Sequence, residues 1–112
     1  MPGAGYAGVL ESNSLAGTAT RIAGECTVVA VHAINTTAAA AYVQLFDAKL
    51  ATDVTVGTTI PKWVVASPSS AVSADHGIPA HGIKFDKGVI VASTTTPVNS
   101  TGATQHVKVA IV

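Results

Sequence analysis

The chain has 112 residues, enough for one domain around a single modest core. Charged residues are only 11 % of it, against about a quarter in an ordinary domain, and its six basic and six acidic residues cancel. With no basic stripe to neutralise phosphates, the composition argues against nucleic-acid binding.

Residues 1–19 are rich in Gly, Ala and Ser and show no clear periodicity. They read as an extended arm that needs a partner surface to become ordered, with residues 20–112 forming the folded domain. Tyr6, Leu10 and Leu15 are the candidate contact residues of that arm. The start of the chain lacks a basic cluster followed by a long apolar run, so neither a signal peptide nor a membrane span is expected there.

"ECTVVAVHAIN", Glu25 to Asn35, is the first strand signal. Strict alternation puts Val29, Val31 and Ala33 on one face and Cys26, Val28, Ala30, His32 and Ile34 on the other. Both faces are fairly apolar, which suits a central strand. "TTAAAA" is too short for a helix of its own and reads as a turn. "AYVQLFDA", Ala41 to Ala48, alternates well, with Val43 and Leu45 opposite Tyr42, Gln44 and Phe46. "KLATDVTVGTT" is a connection with a short strand at Val54 to Val56, and a further strand runs from Ile60 to Ala66 with Pro61 near its start. "AVSA" and "IKF" suggest short strands, and "GVIVASTTT" gives the clearest strand of all, Val89 to Thr95. In the closing "TQHVKVAIV", Val107, Val109 and Ile111 share a face. Seven or eight short strands with no well-capped helix predict an all-β fold, a single antiparallel β-sandwich of jelly-roll-like type.

The chemistry-bearing residues are few. "DHGIPAHGIKF", Asp75 to Phe85, repeats His-Gly-Ile, so His76 and His81 are the first candidates for a metal site. Their spacing matches no common ligand pattern, and His32 and His106 lie on predicted strands. The simpler reading is a corner in which Gly77 and Gly82 let the backbone swing. Cys26 is the only cysteine, which rules out an internal disulfide, and on an apolar strand it reads as packing. No Gly-x-Ser-x-Gly elbow or calcium loop occurs, and the sequons at Asn35 and Asn99 read as turn chemistry. No enzyme, metal or cofactor is therefore expected. Trp63 is the one large anchor, suited to core packing or to an interface, with sugar stacking as the lesser reading.

Several segments together resemble a group of small all-β proteins encoded by tailed phages and prophages. They are Asn35 with the Thr/Ala stretch after it, Tyr42 to Phe46, "GTTIP" at Gly57 to Pro61, Gly82 to Gly88 and the Thr-rich Ala92 to Thr96. The likeness covers about two-thirds of the chain, and its motifs are turn and packing signals. It implies a virion component of the capsid decoration or cement type, made in the host cytoplasm and placed on the capsid surface. Its partner would be the major capsid protein, and it would act as a homo-oligomer or assembly subunit without contact to membrane. It also implies a hairpin entered at Gly82 to Phe85 and turning at Asp86-Lys87-Gly88. The low, balanced charge agrees, because copies of such a chain repel one another little. Three rival readings remain at this point: a tail or fibre-base protein, a virion-displayed carbohydrate-binding module using Trp63 and Tyr42, and a metal-dependent enzyme using His76 and His81.

Overall fold

A computed structural model describes residues 8–15, 18–35, 39–67, 72–76, 78–79, 81–97, 101–103 and 105–112. The described residues form nine strands: β1 (Gly8–Leu15), β2 (Thr20–Ala23), β3 (Cys26–Asn35), β4 (Ala41–Asp47), β5 (Trp63–Ser67), β6 (Val72–His76), β7 (Ile83–Phe85), β8 (Val89–Thr94) and β9 (Gln105–Ile111). Of β1 and β6 the backbone pairing is described, and not the side chains.

All pairings are antiparallel. One sheet runs β1-β9-β3-β6, with β7 also paired to β3, and the other runs β2-β8-β4-β5. β6 pairs with residues 31–35 of β3 and β7 with residues 26–28, so the two share one edge position. With β6 and β7 counted as one edge position, successive strands alternate between sheets except at the β4–β5 hairpin. This is the double Greek key of a jelly roll, and the expected sandwich class holds.

The core between the sheets is built from small, branched side chains, as the composition requires. Val28, Val31 and Ala33 of β3, Val107 and Val109 of β9 and Phe85 of β7 face Val43 and Leu45 of β4, Val65 of β5 and Val89 and Val91 of β8. A second cluster lies on the outer face of the smaller sheet. Phe46, Ile90 and Ala92 are covered there by Ala48 and Val54 from the β4–β5 connection. That cover explains why β8 is buried along its whole length and reads as an unbroken apolar run.

Four expectations need correction. Residues 1–19 are not an arm without strand character, because Gly8–Leu15 pairs along β9. The alternation in β3 slips: the register with β9 shifts between Val28 and Ala30, so Cys26 and Val28 point inward before the bulge and Val31 and Ala33 after it. Val54 to Val56 is no strand but follows a single 3-10 turn, Ala51–Asp53. Finally, Asp86 to Gly88 does not close a hairpin, since β7 belongs to one sheet and β8 to the other. It is the corner by which the chain crosses the sandwich.

Candidate functional site

The excursion between β6 and β7 explains the doubled His-Gly-Ile. β6 leaves β3 where His76 pairs with Val31, and β7 rejoins it where Ile83 pairs with Val28. Of the residues between them, Ile78, Pro79, His81 and Gly82 are described and lie beside the stretch of β3 that is bulged toward β9, whereas Gly77 lies outside the described residues. The backbone N–H of Gly82 donates to the Pro79 carbonyl at 2.7 Å and closes a turn. Gly82 sits at φ +79°, and a Cβ there would meet Thr27 Cγ2 at 2.5 Å and the Val28 carbonyl oxygen at 2.8 Å. Only glycine fits this position without strain. Ile78 packs against the main core, whereas His81 is exposed. The loop is thus shaped by Gly82 and anchored by Ile78. Among the described residues no three of His, Cys, Asp and Glu come together as a metal-binding group.

The most concentrated polar chemistry is at the next corner. The Asp47 carboxylate, at the end of β4, accepts the backbone N–H groups of Asp86 at 3.3 Å, Lys87 at 2.9 Å and Gly88 at 3.4 Å. Burial alone would raise its pKa, but these donors together with Lys62 outweigh that and hold it below the ordinary value. The Lys62 ammonium lies 3.6 Å from Asp47 Oδ2, donates to the Lys84 carbonyl oxygen and stands 5.4 Å from the centre of the Phe85 ring. Gly88 fits beneath, because a Cβ there would come within 2.8 Å of the Ala48 carbonyl and 2.9 Å of the Ala23 carbonyl. Asp47 thus caps a strand-to-strand corner, which is an architectural task. The sequence signal for it is an aspartate ending a strand and a later Asp-Lys-Gly turn, though nothing in the residues pairs the two.

The remaining candidates fall in separate places. Cys26 is buried at the start of β3, and burial raises its thiol pKa while the nearby Lys84 opposes the rise. That setting disfavours a reactive thiolate. Trp63, on edge strand β5, is half-buried and packs against the main core. It pairs with inward-facing Leu45, whereas Tyr42 lies on the opposite face with Phe46. Trp63 and Tyr42 cannot form one stacking platform. Leu10 and Leu15 take positions on β1 opposite Val109 and Gln105, and Tyr6 lies outside the described residues. The candidates thus do not converge on a single site. Comparison with family models, with curated proteins and with solved structures finds no match.

Proposed function

We propose that this chain is a structural protein of a tailed-phage virion, docked on the outer capsid surface, where it bridges and reinforces neighbouring capsid subunits. The observation that carries the proposal is the resemblance of five of its segments to small phage virion proteins. Three of those segments have definite places in the fold. Asn35, buried at the end of β3, donates from Nδ2 to the Ala39 carbonyl at 2.8 Å and turns the chain toward β4. Gly82 to Gly88 form β7 and the crossing corner, and Ala92 to Thr96 end β8. They are turns and strand ends of a jelly roll, a fold used in viral coats.

A sandwich of small side chains and balanced charge suits repeated docking. Each junction needs only a few hundred square ångströms when many act together on one shell. The reading involves no catalysis and no cofactor. Purified particles test it: the chain should be recovered with shells, at a fixed ratio to the major capsid protein, and shells lacking it should open at lower temperature. Recovery with isolated tails, or with neither, would overturn the proposal.

A further inference from the structure

Charge is unevenly placed along this sandwich. The connections that follow β1, β3, β5 and β8 contain no charged residue. Five of the six basic residues, Arg21, Lys49, Lys62, Lys84 and Lys87, lie toward the other end, where β2, β4 and β7 finish and β5 and β8 start. Two of these cations are already committed. Lys62 is paired with Asp47, and Lys84 Nζ lies 3.2 Å from Glu25 Oε2. Arg21, Lys49 and Lys87 are exposed and, among the described residues, make no ion pair. The backbone brings these three together. Arg21 Nε donates to the Lys49 carbonyl at 3.0 Å, and the N–H of Ala48 donates to the Gly88 carbonyl at 3.2 Å, which sets Lys49 beside Lys87. The guanidinium lies over Gly24, where a Cβ would come within 3.1 Å of Arg21 Nη2. Of the nearby acids, Asp53 accepts the Leu50 N–H at 3.2 Å, and Asp86 is exposed. The same end carries the exposed large apolar residues of the described chain, Leu50 after β4, Ile60 before β5 and Val112 after β9.

We propose that the corner formed by Arg21, Lys49 and Lys87, with Leu50 at its side, docks an acidic, leucine-bearing segment of a partner protein. Charge complementarity names the occupant. Three cations without ion pairs face one exposed acid, Asp86, in a chain whose formal charge is zero. The Arg21 guanidinium is held by its Nε bond, so its Nη groups can take a carboxylate from two prongs, and the two lysines add point charges beside it. Leu50, 52 % exposed, supplies an apolar contact that a peptide side chain can meet and a sugar–phosphate backbone does not use. Three charges on one corner are also few for a duplex, which needs a longer basic track. The inference stands apart from the virion reading; under that reading it makes this end the one that meets the shell.

Fluorescence anisotropy on the full chain tests it, with a short labelled peptide of alternating glutamate and leucine as the probe. The wild type should bind the peptide at low salt and release it as salt rises. Lys87→Glu, at an exposed position, should raise the dissociation constant about tenfold or more. Ala66→Glu/Thr101→Glu shifts the net charge equally at exposed sites away from the corner, and should leave it within about twofold. Leu50→Ser should weaken binding as well, since it removes the apolar contact. A labelled DNA duplex is the comparison arm. Failure of the wild type to bind the peptide, equal losses in Lys87→Glu and in the remote double variant, or duplex binding as tight as peptide binding would each overturn the proposal.

Discussion

Single residues carry the corners of this fold, and two of them give opposite tests of the doubled His-Gly-Ile. Gly82 has φ +79° and no room for a Cβ, so Gly82→Val should cost about 3 kcal/mol or more from backbone strain and a clash with the Val28 carbonyl. His81 is exposed, so His81→Ala should change stability by no more than about 0.5 kcal/mol. Thermal melts of both variants decide whether glycine or imidazole matters in this loop; equal losses would mean that the ring has a structural role as well. Asp47 supplies a pH-dependent counterpart. Its folded pKa is lowered, so the stability it contributes is present above its unfolded value of about 3.9 and is lost as pH falls through the folded value. Asp47→Asn keeps the shape but removes the charge on which three N–H groups converge. It should lose about 1–3 kcal/mol near neutral pH and show a shallower decline below about pH 4. Chemical denaturation at pH 7 and at pH 3 would measure both, and an unchanged acid limb would assign the pH dependence to another carboxylate.

At the level of whole elements, the sequence was legible where a strand announces itself by local pattern. β8 and β9 fall within a residue or so of the expected spans because their branched runs are set apart by the Pro-, Asn- and Gly-containing stretch between them. β2 went unrecognised because four residues are too few for a period to show. β1 went unrecognised because "GVLESNSL" has weak intrinsic strand preference, and its pairing with distant β9 is not written in its own residues. The bulge in β3 explains a subtler miss. Every residue there is strand-like, yet the inward face switches at Val28 to Ala30, a shift no alternation rule anticipates. Since β1 is part of the sheet, deleting residues 1–15 should destabilise the fold itself. It should strip one side of β9, cut the β-sheet circular dichroism and lower the melting temperature by several degrees. An unchanged melt would restore the reading of this stretch as an arm.

At the level of the whole molecule, the two sheets are held together by more than apolar packing. Gln105 of β9 reaches across the sandwich to the opposite sheet at two points. Its Oε1 accepts from the Ser67 hydroxyl of β5 at 2.7 Å, and its Nε2 donates to Ser93 Oγ of β8 at 2.8 Å. All three side chains are buried, at no more than 1 % exposure. Sequence reasoning had no access to this link, since a glutamine and two serines on separate strands look like ordinary polar positions until the topology brings them together. The energetics are asymmetric. Truncating the centre should strand both hydroxyls in a dry interior and open a cavity, so Gln105→Ala should cost about 2–4 kcal/mol. Replacing the whole set, as Gln105→Leu with Ser67→Ala and Ser93→Ala, removes the polar groups together and leaves no orphan. That triple variant should lie closer to the wild type than Gln105→Ala does, because the large penalty comes from unmet partners rather than from the loss of the bonds themselves. Urea denaturation of the two variants beside the wild type makes the comparison. A triple variant at least as destabilised as Gln105→Ala would show instead that the hydrogen bonds add net cohesion between the sheets, which is the quality a protein that reinforces a pressurised shell would need.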